Sequence, residues 1–312
     1  VAYTWKILPI GNSITDGKEG VPGGITNQPD PTDPGFRKRL YDQLSSWGLD
    51  FEFVGSSGSA PYLGHFQSGR KIEDFFSGSI LDVDPVLQSY QPEIVLLHLG
   101  TNNLSDDAGP YSNAWTMGGK LRQLIKQIER EASVQYILVS KIIPRLDVNY
   151  IEMVKVRDFN AEIEKMFFSG DASAKMVVVD MYSQVSANSS ALPDGIHPQK
   201  DGYQNIAEEY ADLTRLVMNG DSNSPNAVDV RNDGSYAVDD NTIRLEWFTP
   251  ADDNFTGRPN LYELRYMVDV PINSSNFRQG TVVSIRRPGR NSSGSVGGAE
   301  AVTISSGLQG GR

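Results

Sequence analysis

Over residues 4 to about 218, short apolar runs with little polar alternation are each followed by a longer amphipathic stretch. The runs Trp5–Ile10, Phe51–Val54, Ile94–Leu99, Tyr136–Ser140 and Met176–Asp180 have the length and composition of strands. Between and after them lie helical patterns at Phe36–Trp47, Trp115–Glu131, Met153–Phe168 and Gly202–Met218. In the second of these, Leu121, Leu124, Ile125, Ile128 and Ala132 recur at the spacing of a core-facing helical stripe. A strand without polar alternation must be buried on both faces, and the helix that follows it supplies the cover. The expectation is therefore an α/β fold, a three-layer doubly wound sandwich on a parallel five-stranded sheet. In such sheets ligands bind beyond the carboxyl ends of the strands, so a polar motif just after a strand carries extra weight.

The pattern ends at the polar stretch Asn219–Asn226, NGDSNSPN, which no helix face would accommodate. This divides the 312 residues into a domain over 1–219, a linker over 220–226 and a smaller region over 227–312. The last region holds β-type runs at Thr242–Phe248 and Tyr262–Val268, with turn-rich residues between them and a Gly/Ser-rich loop at Arg290–Gly298. The formal net charge of −11 opposes a phosphate backbone, so nucleic acid is not an expected partner. No apolar stretch approaches the length of a membrane span. The chain has no cysteine, which removes disulfides, thiolate metal sites and cysteine nucleophiles together.

Four separated segments carry chemistry. Gly11-Asn12-Ser13-Ile14-Thr15-Asp16-Gly17 follows the opening strand. A serine hydroxyl is a poor nucleophile unless a base stands beside it, and a serine at a strand end is well placed to meet one. An isolated serine there is more often a turn or helix-cap residue. Asp194-Gly195-Ile196-His197-Pro198 precedes the last amphipathic pattern, and its spacing lets one turn deliver an imidazole base and the carboxylate that orients it. The alternative is a turn aspartate and a helix-entry histidine. Leu99-Gly100-Thr101-Asn102-Asn103 ends the most apolar strand, where a side-chain amide can donate to a developing oxyanion, or simply turn the chain. In Gly64-His65-Phe66-Gln67-Ser68-Gly69, the Gly69 N–H can serve the same oxyanion. A zinc arrangement of the His-Glu-x-x-His type is absent, as is a Gly-x-Ser-x-Gly nucleophile elbow.

In this order the four segments resemble the blocks of the SGNH/GDSL hydrolase superfamily. The resemblance implies Ser13 as nucleophile, His197 as base and Asp194 behind it. It implies Ser13 N–H, Gly69 N–H and Asn102 as the oxyanion hole, with no cofactor required. Two positions depart from the family pattern: Asn12 and Asn103 each stand where an aspartate is usual. Neither is a member of the triad, so catalysis is expected to survive with altered hydrogen bonding around the oxyanion. The stretch from Gly35-Phe36-Arg37-Lys38-Arg39-Leu40-Tyr41 through Phe53-Val54-Gly55-Ser56, with Pro92–Leu97, is similar to the acetyl xylan esterases of carbohydrate esterase family three. That likeness implies an acetylated plant polysaccharide such as xylan as substrate, and an extracellular location with a leader not present in this chain.

The C-terminal sequences Leu245-Glu246-Trp247, Pro250-Ala251-Asp252-Asp253 and Tyr262-Glu263-Leu264-Arg265-Tyr266 resemble the front half of a fibronectin type III module. Its last strands are expected to be missing, leaving the edge of Tyr262–Val268 open and the tail mobile or completed by a partner. Around the site, His65 either lines the cleft or belongs to a surface loop, and Tyr111 and Trp115 either stack on a sugar at the rim or pack into the core or a lid. His98, inside an apolar strand, reads as a hydrogen-bonded core residue. The insert Thr15–Pro34 shapes the rim. Its carboxylates at Asp30 and Asp33 suit calcium in principle, but a solvated loop is the plainer expectation. Two other functions fit the same residues: a broader esterase or lysophospholipase acting on lipid or aryl esters, and a non-catalytic carbohydrate-binding protein with a vestigial site.

Overall fold

The computed structural model describes residues 3–21, 24–25, 33–105, 110–147, 150–168, 173, 175–219, 236–239, 242–248, 262–266, 281–286 and 299–304. They fall into two compact units, one from Val1–Lys165 and Lys175–Met218, the other from Met166–Ala174 and Asn219–Arg312.

The first unit is built on β1 (Trp5–Gly11), with a one-turn helix α1 (Ser13–Asp16) at its carboxyl end. A two-strand ribbon β2 (Gly20–Val21) and β3 (Gly24–Ile25) comes next, then α2 (Phe36–Ser46), β4 (Phe51–Phe53) and β5 (His65–Phe66). After a 3-10 turn at Ile72–Phe75 follow α3 (Asp84–Tyr90), β6 (Ile94–His98) and a second 3-10 turn at Thr101–Ser105. The unit ends with α4 (Pro110–Glu129), β7 (Tyr136–Ser140), α5 (Tyr150–Phe168), β8 (Met176–Val179) and α6 (Lys200–Asn219).

The main sheet runs β4-β1-β6-β7-β8, all pairs parallel. It has six strands rather than five, because β5 also pairs with β1. The two short strands share one edge of β1: β4 takes Trp5–Ile7 and β5 takes Ile10–Gly11. The core is the strand stack itself, with Ile7, Leu8, Ile10, Ile94–Leu97 and Ile137–Val139 buried. Phe36 of α2 meets Tyr210 of α6, and Gly118 of α4 lies against Glu162 of α5, so the helices pair off as layers. From β1 the chain steps outward to β4, then crosses back to β6 on the other side of β1. With right-handed crossovers this reverses the winding, so the crevice of the fold opens between the carboxyl ends of β1 and β6. Ser13 follows β1 and Asn102 follows β6.

Helix boundaries shift for local reasons. Helix α4 begins at Pro110, five residues before the expected start, because proline is tolerated in the first turn where its missing N–H is not needed. It stops at Glu129, so Ala132 falls beyond it and is exposed, and Val134 is buried instead. Helix α3 lay below the length at which periodicity is visible; Val86 and Leu87 are the buried residues of its seven.

In the second unit, β9 (Tyr236–Asp239), β10 (Thr242–Phe248) and β13 (Ala299–Ile304) form an antiparallel sheet in the order β13-β10-β9. Strand β11 (Tyr262–Tyr266) pairs antiparallel with β12 (Thr281–Arg286), so one edge of the strand expected to lie open is occupied. The expected linker at 220–226 and loop at Arg290–Gly298 lie outside the described residues. Among the described residues, no helix is long and apolar enough to cross a membrane.

Candidate active site

Ser13 is the first residue of α1 and is 7% exposed. Asn12 caps the turn, its Oδ1 accepting the Ile14 N–H at 3.2 Å. The turn closes at Gly17, whose φ of 88° suits glycine; a Cβ there would also come within 2.6 Å of the Pro34 carbonyl carbon. The carbonyl end of α1 faces the buried Arg37 guanidinium, which donates to Thr15 O at 2.8 Å and Asp16 O at 3.3 Å, and also to Tyr62 O. The same guanidinium lies 4.0 Å from the Phe66 ring centroid. Burial pushes its pKa down to about 10, against which Asp16 acts, so it stays charged at neutral pH. A cation at a helix carboxyl end is favourable, and here it joins the Ser13 turn to the Tyr62–Phe66 segment.

Asp194 and His197 form one turn. Asp194 Oδ1 accepts the backbone N–H groups of Ile196 at 3.0 Å and His197 at 2.8 Å, while Oδ2 lies 2.6 Å from His197 Nδ1. Burial alone would raise the carboxyl pKa, but the bonds from the His197 backbone and ring and from Ile196 outweigh it and hold it below the ordinary value. An ionised acceptor at Nδ1 puts the neutral ring's proton there, leaving Nε2 as a bare base. That Nε2 lies 2.7 Å from Ser13 Oγ. Hydroxyl, imidazole and carboxylate are thus in line, in the geometry of a nucleophile, its base and the group that orients the base.

Gly69 and Asn102 reach this corner through separate loops. Gly69 is exposed, with φ of 80° and nothing within 4 Å of where a Cβ would stand. Its loop is held to the nucleophile turn by Ser68 Oγ donating to Asp16 Oδ2 at 2.7 Å and by Gln67 N–H on Gly11 O at 3.3 Å. Asn102 Nδ2 donates to Arg70 O at 2.9 Å, which uses one of its two amide hydrogens. The two loops are therefore bonded to each other one residue from Gly69.

Residues 10–204 match the model of the GDSL-like lipase/acylhydrolase family, well over half of the chain. The chain belongs to this family. It is a carboxylic ester hydrolase of the GDSL (SGNH) type. No curated protein matches it in sequence. Among solved structures it is similar in fold to an acetyl esterase mutant crystallised with an acetate ion, at 20% identity and a TM-score of 0.52 over 69% of this chain and 98% of that one. A carbohydrate esterase family 3 protein from Talaromyces cellulolyticus gives 21% identity and a TM-score of 0.52 over the same shares. A lipase from a goat rumen metagenome gives 11% identity and a TM-score of 0.50 over 67% of this chain and 97% of that one.

Of the other residues of this GDSL hydrolase that the sequence singled out, His65 lies elsewhere than at the suggested rim. His65 is inside the fold and not at a rim: it is 4% exposed, its Nδ1 bonds Ser56 Oγ at 2.8 Å and its Nε2 bonds Leu81 O at 2.9 Å. The cause is β5, whose two-residue pairing with β1 draws the segment against the sheet. His98 is in the core as expected, but neither ring nitrogen has a partner among the described residues. Trp115 is 71% exposed on α4; Tyr111 lies on the same helix, and its side chain is outside the described residues. Asp33 is held by Arg39, Asp30 is outside the described residues, and no metal-binding cluster occurs among those described.

Several contributing residues escaped the sequence reading. Arg145 Nη1 donates to Thr101 O at 2.9 Å and its Nε to Asp147 Oδ1 at 2.8 Å, while the next residue's N–H bonds Gly195 O at 2.7 Å. The loop after β7 therefore grips the Asn102 loop and the Asp194–His197 turn together. A single arginine followed two residues later by aspartate gives no signal of this, because both partners arrive from distant parts of the chain.

Proposed function

We propose that this hydrolase removes acetyl groups from a plant polysaccharide such as acetylated xylan, through an acyl-enzyme on Ser13. His197 Nε2 takes the Ser13 Oγ proton as Oγ attacks the ester carbonyl carbon, and Asp194 steadies the imidazolium that forms. The tetrahedral oxyanion is held by Ser13 N–H, Gly69 N–H and the second Asn102 Nδ2 hydrogen. Collapse expels the sugar oxygen, which takes the proton from His197. Water, deprotonated by His197, then attacks the acyl carbon, and Ser13 Oγ leaves with that proton as acetate is released. No step needs a cofactor.

The observation that carries this reading is the 2.7 Å contact between Ser13 Oγ and His197 Nε2, made across 184 residues of sequence. The polysaccharide part draws on the resemblance of Gly35–Ser56 to family three acetyl xylan esterases; of the fold relatives, one is named an acetyl esterase and another a carbohydrate esterase of family 3. A secreted enzyme follows from such a substrate, and the C-terminal unit is read as a fibronectin type III-like appendage. Ser13→Ala is expected to abolish hydrolysis of a small acetyl ester while the circular dichroism spectrum persists; near-native turnover would refute the nucleophile. Acetate release should be faster from acetylated xylan than from acetylated glucomannan or pectin. Rates on aryl esters should collapse beyond acetyl or propionyl, whereas a rate sustained to long acyl chains would point to a lipid esterase instead.

A further inference from the structure

Asn103 stands where the family resemblance leads one to expect an aspartate, and it is fully buried. Its Oδ1 accepts the Ile72 N–H at 3.1 Å, and its Nδ2 donates to Glu73 Oε2 at 2.7 Å. These partners fix the amide's orientation, since a carboxylate can only accept and a backbone N–H can only donate. The other Glu73 oxygen, Oε1, receives Lys120 Nζ at 2.6 Å, which anchors the group to α4.

One residue earlier, Asn102 Nδ2 holds Arg70 O at 2.9 Å. Adjacent asparagines thus grip one short segment: Asn102 takes Arg70, and Asn103 takes Ile72 and Glu73. That segment begins at Gly69, the proposed backbone donor to the oxyanion. The spacing between the Gly69 N–H and the second Asn102 amide hydrogen is set by these contacts, and oxyanion donors act only when held at the position where charge develops.

The geometry points to Asn103, Glu73 and Lys120 as positioning residues for the oxyanion hole, matched so that a carboxylate at 73 requires an amide at 103. This rests on the reading of Ser13, Gly69 and Asn102 given above. An aspartate at 103 would still accept the Ile72 N–H, but its second oxygen would meet Glu73 Oε2 with no proton between them. The segment would be pushed away from Asn103 and the two donors out of register. The departure from the family pattern is then not a loss: it is one half of a pair whose other half is Glu73.

The test uses the full chain with a small acetyl ester. N103D is expected to lower kcat by about 10- to 100-fold, the cost of displacing a group by a fraction of an ångström to an ångström, with KM changed by less than about threefold. In E73Q/N103D the donor and acceptor exchange places. The introduced glutamine amide donates to the introduced carboxylate, its own oxygen still accepts from Lys120, and net charge is kept. This double variant is expected to recover kcat to within about threefold of the parent. A role in folding alone would not produce a kcat loss at constant KM that a second substitution reverses. Should N103D fail to fold, K120M serves, since the Lys120 side chain is 30% exposed and its removal leaves the asparagine contacts in place. It is expected to lower kcat severalfold without changing KM. A native kcat in N103D or K120M, or a double variant no better than N103D, would overturn the inference. If the parent chain itself hydrolysed no ester and Ser13 resisted a fluorophosphonate, the underlying site reading would fall first, and the two failures are told apart by that control.

Discussion

His98 shows what one buried side chain costs. It lies in β6 beside Gly11 of β1, and burial holds its pKa at about 4 against an ordinary 6.5. Between those values the unfolded chain binds a proton that the folded chain refuses, so stability falls as the pH is lowered through that window. The loss approaches on the order of 3 kcal/mol below pH 4. His98→Leu, similar in size and apolar, is expected to flatten the fall of Tm between pH 6.5 and 4 relative to the parent; an unchanged slope would show that other groups control acid unfolding. The burial of His98 was legible from its apolar neighbours, because five consecutive strand residues without alternation leave no solvent face. Its lack of a partner among the described residues was not, since that depends on what packs against the strand. His65 is the opposite case. Its glycine-flanked segment reads as loop, yet two residues of pairing with β1 carry it inside and occupy both ring nitrogens.

Among the α-helices, α1 is the shortest and could not hold its shape alone. Four residues close a single turn, far below the length at which a helix is stable in isolation. It is held by the Asn12 cap at one end and by Arg37 at the other, with Tyr203 of α6 donating to Lys18 O just beyond. Arg37→Met would leave the Thr15, Asp16 and Tyr62 carbonyls without their cation. A loss of about 2–4 kcal/mol is expected in denaturant unfolding, with kcat falling as the Ser13 turn loosens. Arg37→Lys should recover only part of this, because one ammonium cannot match the fork of a guanidinium across three carbonyls. A stability within about 0.5 kcal/mol of the parent, the range of an ordinary surface substitution, would deny Arg37 this role. In the sequence Arg37 entered only within the stretch that resembles the family three esterases, beside the basic Lys38 and Arg39. Which of the three turns inward is settled by the position of α2 on the sheet, not by charge.

At the scale of the molecule, the chain separates into two units, and the four motif segments all belong to the first. A chain ending at Asn219 is therefore expected to keep kcat and KM on a small acetyl ester within about twofold. A large drop in kcat would show that the second unit supports the site. The strand and helix order was readable because hydrophobic periodicity is imposed locally by backbone geometry. The Asp194–His197 pair was readable for the same reason, since three residues of spacing fit one turn. The meeting of Ser13 with His197, the grip of Arg145 on two loops and the match of Asn103 to Glu73 were decided only in the tertiary structure. Each joins segments that periodicity cannot relate, and their approach is set by how the layers pack around β1 and β6.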